Sequence, residues 1–257
     1  MKQNIANAFN KGHKSLIIYV TAGHPTISES EKIIGSLIEA GADLIELGVP
    51  FSDPTADGPV IQESSQIALK NGANLPEILK MAARLRKKYS TPLVLFSYYN
   101  ILMTRGFEQT MKECAESGID GVLIVDLPLE EADEVTPILK KYDLALIRLV
   151  APTTPPERAA KIVREAEGFV YYITVKGVTG VRTGVAAGLE EHLSVLRECS
   201  PVPVAAGFGI ATPEDAKANA KHADGIIVGS AIVKLITAGK PEEAVKLTSA
   251  MAEALKF

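Results

Sequence analysis

The chain has 257 residues, 47% of them hydrophobic and 23% charged, with a formal net charge of −4. That composition is ordinary for a globular protein with a large core, and its mild acidity excludes a general binder of nucleic acid or of anionic membranes. A length near 250 suits one α/β barrel as well as two average domains, and no run reaches the roughly 18 apolar residues that a membrane helix needs.

The first residues, MKQNIANAFNKGHKS, are polar and amphipathic, without the apolar core or cleavage site of a secretion signal. We therefore expect a cytoplasmic protein. Short runs rich in Val, Ile and Leu then recur as strand candidates. They are SLIIYVT (15–21), ADLIELG (42–48), PLVLFSY (92–98), DGVLIVD (120–126), LALIRLV (144–150), FVYYITV (169–175), VPVAAGF (202–208) and DGIIVGS (224–230). Helix-like stretches separate them, beginning with ISESEKIIGSLIEAG and LPEILKMAARLRKKY and ending with PEEAVKLTSAMAEALK. Strands alternating with helices imply parallel βαβ units, and eight units in this length fit a closed barrel better than an open sheet. No GxGxxG follows the first strand, which weakens a dinucleotide-binding fold. The expectation is an α/β protein, a single-domain (β/α)8 TIM barrel over residues 1–257. It carries an extra N-terminal helix and extra short helices in the loops after the second and eighth strands. The entries GADLIEL, GIDGVLI and HADGIIV resemble one another, but their spacing is uneven and does not make a repeat array.

In such barrels the site is built from the loops at the carboxyl ends of the strands. Three of those loops are long or glycine-rich: 49–60, 176–188 (KGVTGVRTGVAAG) and 207–212 (GFGIAT). Side chains alternate along a strand, so Leu44, Glu46 and Gly48 share one face and Asp43, Ile45 and Leu47 the other. The second set meets the helix layer, with Asp43 near solvent at the strand start, and Glu46 points into the barrel. A buried carboxylate has a raised pKa and can exchange protons near neutrality; the competing reading is a core glutamate bonded to backbone. Asp57 in ADGP and Asp53 in SDP also suit ordinary turn chemistry, and spacing alone does not bring Glu46 and Asp57 together. GFGI and VGS follow the last two strands, where barrel enzymes commonly hold phosphate on glycine backbone and a helix start. Ser230 is either part of that cradle or an N-cap. Loop 176–188 is either a lid or a connection. His24 reads as a surface polar group, and His13, His192 and His222 form no metal spacing, so no metal is expected. Cys114 and Cys199 read as reduced structural thiols.

Across its whole length the chain resembles the tryptophan synthase alpha chain family. The resemblance rests on YVTAGHPT (19–26), LIELGVPFSDPTADGPVIQ (44–62), VLIVDLP (122–128), LVAPTTPPER (149–158), YYITVKGVTGVR (171–182), AAGFGI (205–210) and VGSAIVK (228–234). It implies retro-aldol cleavage of indole-3-glycerol phosphate to indole and D-glyceraldehyde 3-phosphate, with Glu46 as general acid/base and Asp57 accepting from the indole N–H. Gly180, Gly209, Gly229 and Ser230 match phosphate-binding positions. Tyr19, Phe96, Leu123, Val125 and Phe208 match an apolar indole pocket, Tyr171 a substrate contact, and Thr179 a threonine that meets the aspartate when the lid closes. Tyr19, His24, Thr55 and Phe96 depart from the commoner residues at their positions. The resemblance also implies an αββα heterotetramer with a beta chain that receives indole and carries pyridoxal phosphate, and no cofactor in this chain. A stand-alone indole-3-glycerol phosphate lyase, a sugar-phosphate isomerase and a non-catalytic glycerol-phosphate-binding regulatory subunit are the alternatives.

Overall fold

The structure, a computed structural model, describes residues 2–173, 192–207 and 209–257. Eight parallel strands pair in sequence order and close into a barrel. They are β1 (Ser15–Thr21), β2 (Leu44–Gly48), β3 (Leu93–Ser97), β4 (Gly121–Ile124), β5 (Ala145–Val150), β6 (Val170–Ile173), β7 (Val204–Gly207) and β8 (Gly225–Val228). β1 spans the expected run, and the others begin one or two residues inside theirs, several of them just after an aspartate or proline: Asp43, Pro92, Asp120, Pro203 and Asp224.

The helices are α1 (Lys2–Phe9), α2 (Ile27–Glu39), α3 (Pro59–Lys70), α4 (Leu75–Arg86), α5 (Tyr99–Met103), α6 (Phe107–Glu116), α7 (Ala132–Lys141), α8 (Pro156–Arg164), α10 (Pro213–Ala220), α11 (Ser230–Thr237) and α12 (Pro241–Ala254), with α9 covering the helical residues 192–199. Their starts are chemically marked. The Thr26 hydroxyl accepts from the Glu29 N–H, the Asn74 side chain from the Glu77 N–H, and Thr212 and Asp215 form a reciprocal capping box. Two details differ from expectation. The helix after β2 is no short piece: α3 runs 12 residues from a proline in its first turn. A second addition, the five-residue α5 after β3, carries too few residues to show periodicity in the sequence.

The alternation along the strands sorts the core into two layers. Leu16, Ile18, Val20, Ile45, Leu47 and their equivalents pack outward against the helices. Ile17, Leu44, Val94, Leu123, Ile147, Phe169, Ala205 and Ile227 fill the barrel interior. α1 closes the amino end of the barrel by placing Ile5, which is fully buried, into that interior layer.

Acidic residues stitch that same end. Asp43 receives the Leu16 N–H at 2.9 Å, Asp120 the Leu93 N–H at 2.9 Å and Asp224 the Val204 N–H at 3.0 Å. Each of these aspartates returns its own N–H to the carbonyl of the same residue, at 2.8 Å. Glu167, just ahead of β6, receives the Leu146 N–H more loosely, at 3.4 Å. A cation stands beside each: Lys11 at Asp43, where the His13 ring also bonds, Arg86 at Asp120, Lys2 at Glu167 and Arg197 at Asp224. The similar entries GADL, GIDG and HADG therefore share a function, tying an even strand to the odd strand before it. Asp43 does not lie near solvent as expected: its residue is only 4% exposed, because it caps β1 while sealed by Lys11 and His13.

Candidate active site

At the opposite, carboxyl end the strands open into a cavity of about 390 Å³. Its wall includes Tyr19, Asp57, Phe96, Val125, Tyr171, Gly209, Gly229 and Ser230, so eight of the thirteen expected site residues meet here. Thr179, Gly180 and Phe208 lie outside the described residues. Leu123 does not reach the wall. It is fully buried one layer down in the barrel interior, paired in register with Phe96, because β4 is short and its next inward residue, Val125, takes the cavity position.

Glu46 is fully buried and does not itself line the cavity. It points inward as the alternation requires, between Tyr19 of β1 and Val94 of β3 in the strand register. Among the described residues neither carboxylate oxygen has a hydrogen-bond partner, so no described backbone group holds Glu46 as a core fixture. Burial pushes its pKa up to about 8, because nothing nearby repays the lost hydration of the anion. Its charge reaches the phenols of Tyr19 and Tyr171, and both phenols are raised well above the ordinary tyrosine value, chiefly by burial.

Those two rings need room, and two glycines provide it. A Cβ on Gly48, at the end of β2, would collide with the Tyr19 hydroxyl, and one on Gly207, at the end of β7, would lie 2.7 Å from the Tyr171 hydroxyl. Tyr19 and Phe96 meet edge to face at 5.1 Å and form the flat apolar side of the cavity.

Asp57 stands in the loop between β2 and α3 and is half-buried. Tyr98 donates its hydroxyl to the Asp57 carboxylate at 3.1 Å and receives the Ala56 N–H at 3.0 Å. The Gln62 amide donates to the Asp57 carbonyl at 2.8 Å. Burial raises the Asp57 pKa and the Tyr98 hydroxyl opposes that rise. Asp53 takes no part: it is exposed and receives only the Ser52 hydroxyl and, on its carbonyl, the Thr55 N–H.

Across the cavity, Gly209 adopts φ +75°, a conformation that a side chain would strain. Gly229 is the N-cap of α11 and makes no side-chain cap, and Ser230 is the first helical residue. The alternative of Ser230 as N-cap therefore fails by one position. The first-turn N–H groups of α11 lie at the cavity wall with Gly209, an arrangement suited to an anion.

Sequence reasoning passed over Tyr98, Ile61, Leu149, Ile173 and Lys234. Leu149 and Ile173 follow from strand alternation, continued one step beyond the interior core. Tyr98 was absorbed into the strand run PLVLFSY, although it follows the last strand residue and belongs to the loop. His24 is a correction: far from a surface group, it is 4% exposed, with Nε2 3.0 Å from the Thr237 hydroxyl and Nδ1 without a partner among the described residues, and burial lowers its pKa. Among the described residues no group of His, Cys, Asp and Glu is placed to hold a metal ion.

A closed (β/α)8 barrel with acid groups and a glycine-lined cavity at its carboxyl end defines a TIM-barrel enzyme. The model of the tryptophan synthase alpha chain family matches residues 5–256. A tryptophan synthase alpha chain from Geobacter sulfurreducens is 46% identical over 250 residues, covering 96% of this chain and 95% of its own. One from Desulfosudis oleivorans is 48% identical over 234 residues, covering 90% and 88%. Among solved structures, tryptophan synthase subunit alpha from Legionella pneumophila superposes with a TM-score of 0.88 at 34% identity, covering 98% of both chains. A chain of tryptophan synthase from M. tuberculosis superposes at 0.89 with 29% identity, covering 98% of both. The chain belongs to the tryptophan synthase alpha chain family, and it is a carbon–carbon lyase acting on indole-3-glycerol phosphate.

Proposed function

We propose that Glu46 and Asp57 divide the proton transfers of this cleavage between them. Glu46, held protonated near neutrality by burial, donates to indole C3. The ring becomes a cationic indolenine, and Asp57 stabilises it by accepting from the ring N–H. The bond from C3 to the glycerol carbon then breaks, its electron pair returning to the ring. The hydroxyl on that carbon gives its proton to the Glu46 carboxylate and becomes the aldehyde of D-glyceraldehyde 3-phosphate. Glu46 ends protonated, indole leaves neutral, and no external oxidant or reductant is required. Tyr19, Phe96, Val125 and Tyr171 hold the indole, and Gly209, Gly229 and Ser230 hold the phosphate. One observation carries this reading above the rest: a fully buried glutamate with both oxygens unpartnered among the described residues, in a barrel whose apolar cavity has Asp57 on its wall.

The partner of the family is a beta chain. The finer reading is an αββα heterotetramer in the cytoplasm, with pyridoxal phosphate bound by the beta chain and none by this one. No helix among the described residues is long and apolar enough to cross a membrane, which is compatible with that location.

The experiment is indole release from indole-3-glycerol phosphate by the purified chain, with and without a beta chain. Slow release that rises strongly with the partner supports the synthase subunit. Fast release indifferent to the partner favours a stand-alone lyase. Under Glu46→Gln the proposed roles require release to collapse while the partner's own activation by this chain survives. If Glu46→Gln releases indole at the wild-type rate, the proton-transfer roles are wrong.

A further inference from the structure

Asp57 stands on the cavity wall, and the chain as a whole is acidic at −4. A phosphorylated substrate is therefore repelled by the acidic chain and by the Asp57 carboxylate. Glycine N–H groups and a helix start offset part of that repulsion, yet they carry only partial charge. Among the described residues, one cationic side chain lines the cavity: Lys234 of α11.

Its position on the helix is informative. Lys234 lies four residues after Ser230, so the two share a face of α11. Long side chains on a helix lean back toward its amino end and cover the preceding turn. Lys234 therefore leans toward Gly229 and Ser230, and its side chain, with these two residues and Gly209, bounds the same cavity. No carboxylate of the described residues ion-pairs with its ammonium, in contrast to Lys11, Arg86 and Lys2 at the other end of the barrel. Lys234 is also exposed, so its ammonium is hydrated while the site is empty.

We propose that Lys234 is a phosphate-binding residue, which supplies the full positive charge that the backbone cradle of Gly209, Gly229 and Ser230 lacks. The inference rests on the phosphate reading of that cradle. It assigns Lys234 to affinity and to capture of the dianion rather than to the proton transfers.

The test uses the full chain with Lys234→Met and Lys234→Arg, and two probes: sn-glycerol 3-phosphate, which carries the dianion, and indole, which carries no charge. Binding is read by calorimetry, and turnover as KM and kcat for indole-3-glycerol phosphate. Lys234→Met is expected to weaken glycerol 3-phosphate about tenfold, the size of a lost charge-assisted hydrogen bond at a hydrated site. Indole affinity stays at the wild-type value, the turnover loss falls on KM more than on kcat, and Lys234→Arg restores most of the phosphate affinity. The salt dependence of glycerol 3-phosphate binding also flattens in Lys234→Met, because one fewer charge is screened. Wild-type affinity for glycerol 3-phosphate in Lys234→Met overturns the inference. So does a parallel loss of indole and glycerol 3-phosphate with a lowered Tm, which marks a structural lysine. If the wild-type chain itself does not bind glycerol 3-phosphate, the cradle reading falls, a different result from a failure confined to Lys234.

Discussion

The two ends of this barrel use the same residue types to opposite effect. At the amino end, Asp43, Asp120, Glu167 and Asp224 each receive a backbone N–H and each stand beside a cation. At the carboxyl end, Glu46 is as deeply buried as any of them and has neither kind of partner among the described residues. A carboxylate whose charge is satisfied binds strands together and is chemically inert. A carboxylate left unsatisfied holds its proton to about pH 8 and can pass it on. The free energy that folding withholds from Glu46 is what makes it useful in the reaction.

The largest expected effect breaks the reactive end. Glu46→Gln keeps the shape and removes the transferable proton, and kcat for indole release should fall by about 10²–10⁴-fold, the usual contribution of a positioned acid–base group. The same variant should be the more stable protein. An unfolded glutamate titrates near 4.5 and the native one near 8. Between those values the unfolded chain releases a proton that the native chain keeps. Wild-type stability therefore falls as pH rises through that window, by up to about 1.4 kcal/mol per pH unit, and levels off above it. Glu46→Gln has no such proton to lose, so its stability margin over wild type should widen from about pH 5 to about pH 8 in denaturant melts. Equal margins across that range would mean that Glu46 is hydrated and ordinary. In wild type, kcat/KM should decline above about pH 8 as the acid form is lost.

Next in size is the inert end. Asp120→Ala strands the Leu93 N–H and removes the carboxylate that Arg86 meets at 2.5 Å. Breaking a buried pair costs about 3–5 kcal/mol, and the lower figure applies because Arg86 still donates to the carbonyls of Gly118, Tyr89 and Thr91. The melting midpoint should drop accordingly, while kcat per folded molecule stays at the wild-type level. A fall in kcat without a fall in stability would erase the division between the two ends.

A smaller effect separates support from chemistry within the reactive end. Tyr98→Phe leaves Asp57 without the 3.1 Å hydroxyl donor and the Ala56 N–H without its acceptor. Asp57 keeps its carboxylate, so the loss in kcat should be about tenfold, well short of the loss in Glu46→Gln. The pH at which Asp57 ionises should also rise, because the hydroxyl that opposed its burial is gone. A kcat unchanged in Tyr98→Phe would show that Asp57 is positioned by its loop alone.

Which parts of this contrast could be read from the sequence follows from what each part depends on. Strand alternation alone aims Glu46 inward, and eight apolar runs alone imply the barrel; both are local patterns that the structure reproduces. The meeting of Asp57 with Tyr98, 41 residues apart, depends on how two loops fold over adjacent strands, which no local pattern encodes. The amino-end aspartates were visible as recurring entries, but their meaning needed the partner strand: an aspartate before a strand is a turn residue until a neighbouring N–H is seen to point at it. Asp43 was misplaced near solvent for that reason. His24 was misjudged in the same way, because burial of a loop residue is decided by the helices around it; its contact, Thr237, comes from α11 at the far end of the chain.

The smallest effect tests how much of the amino-end pairing is backbone and how much is ion pair. Lys11 reaches Asp43 at 2.8 Å, yet its side chain is 44% exposed while that of Asp43 is 6% exposed. Lys11→Met leaves Asp43 with the Leu16 N–H at 2.9 Å and His13 at 3.1 Å. The half-exposed ammonium is screened by water and salt, so its removal should cost no more than about 1 kcal/mol. Asp43→Ala strands the Leu16 N–H as well and should cost clearly more. Measured side by side in denaturant, the two variants should differ in that order, and raising the salt concentration should shrink the Lys11→Met effect while leaving that of Asp43→Ala. If instead the two costs are equal, the ion pair rather than the strand N–H is what Asp43 contributes, and the amino end is held by charge after all.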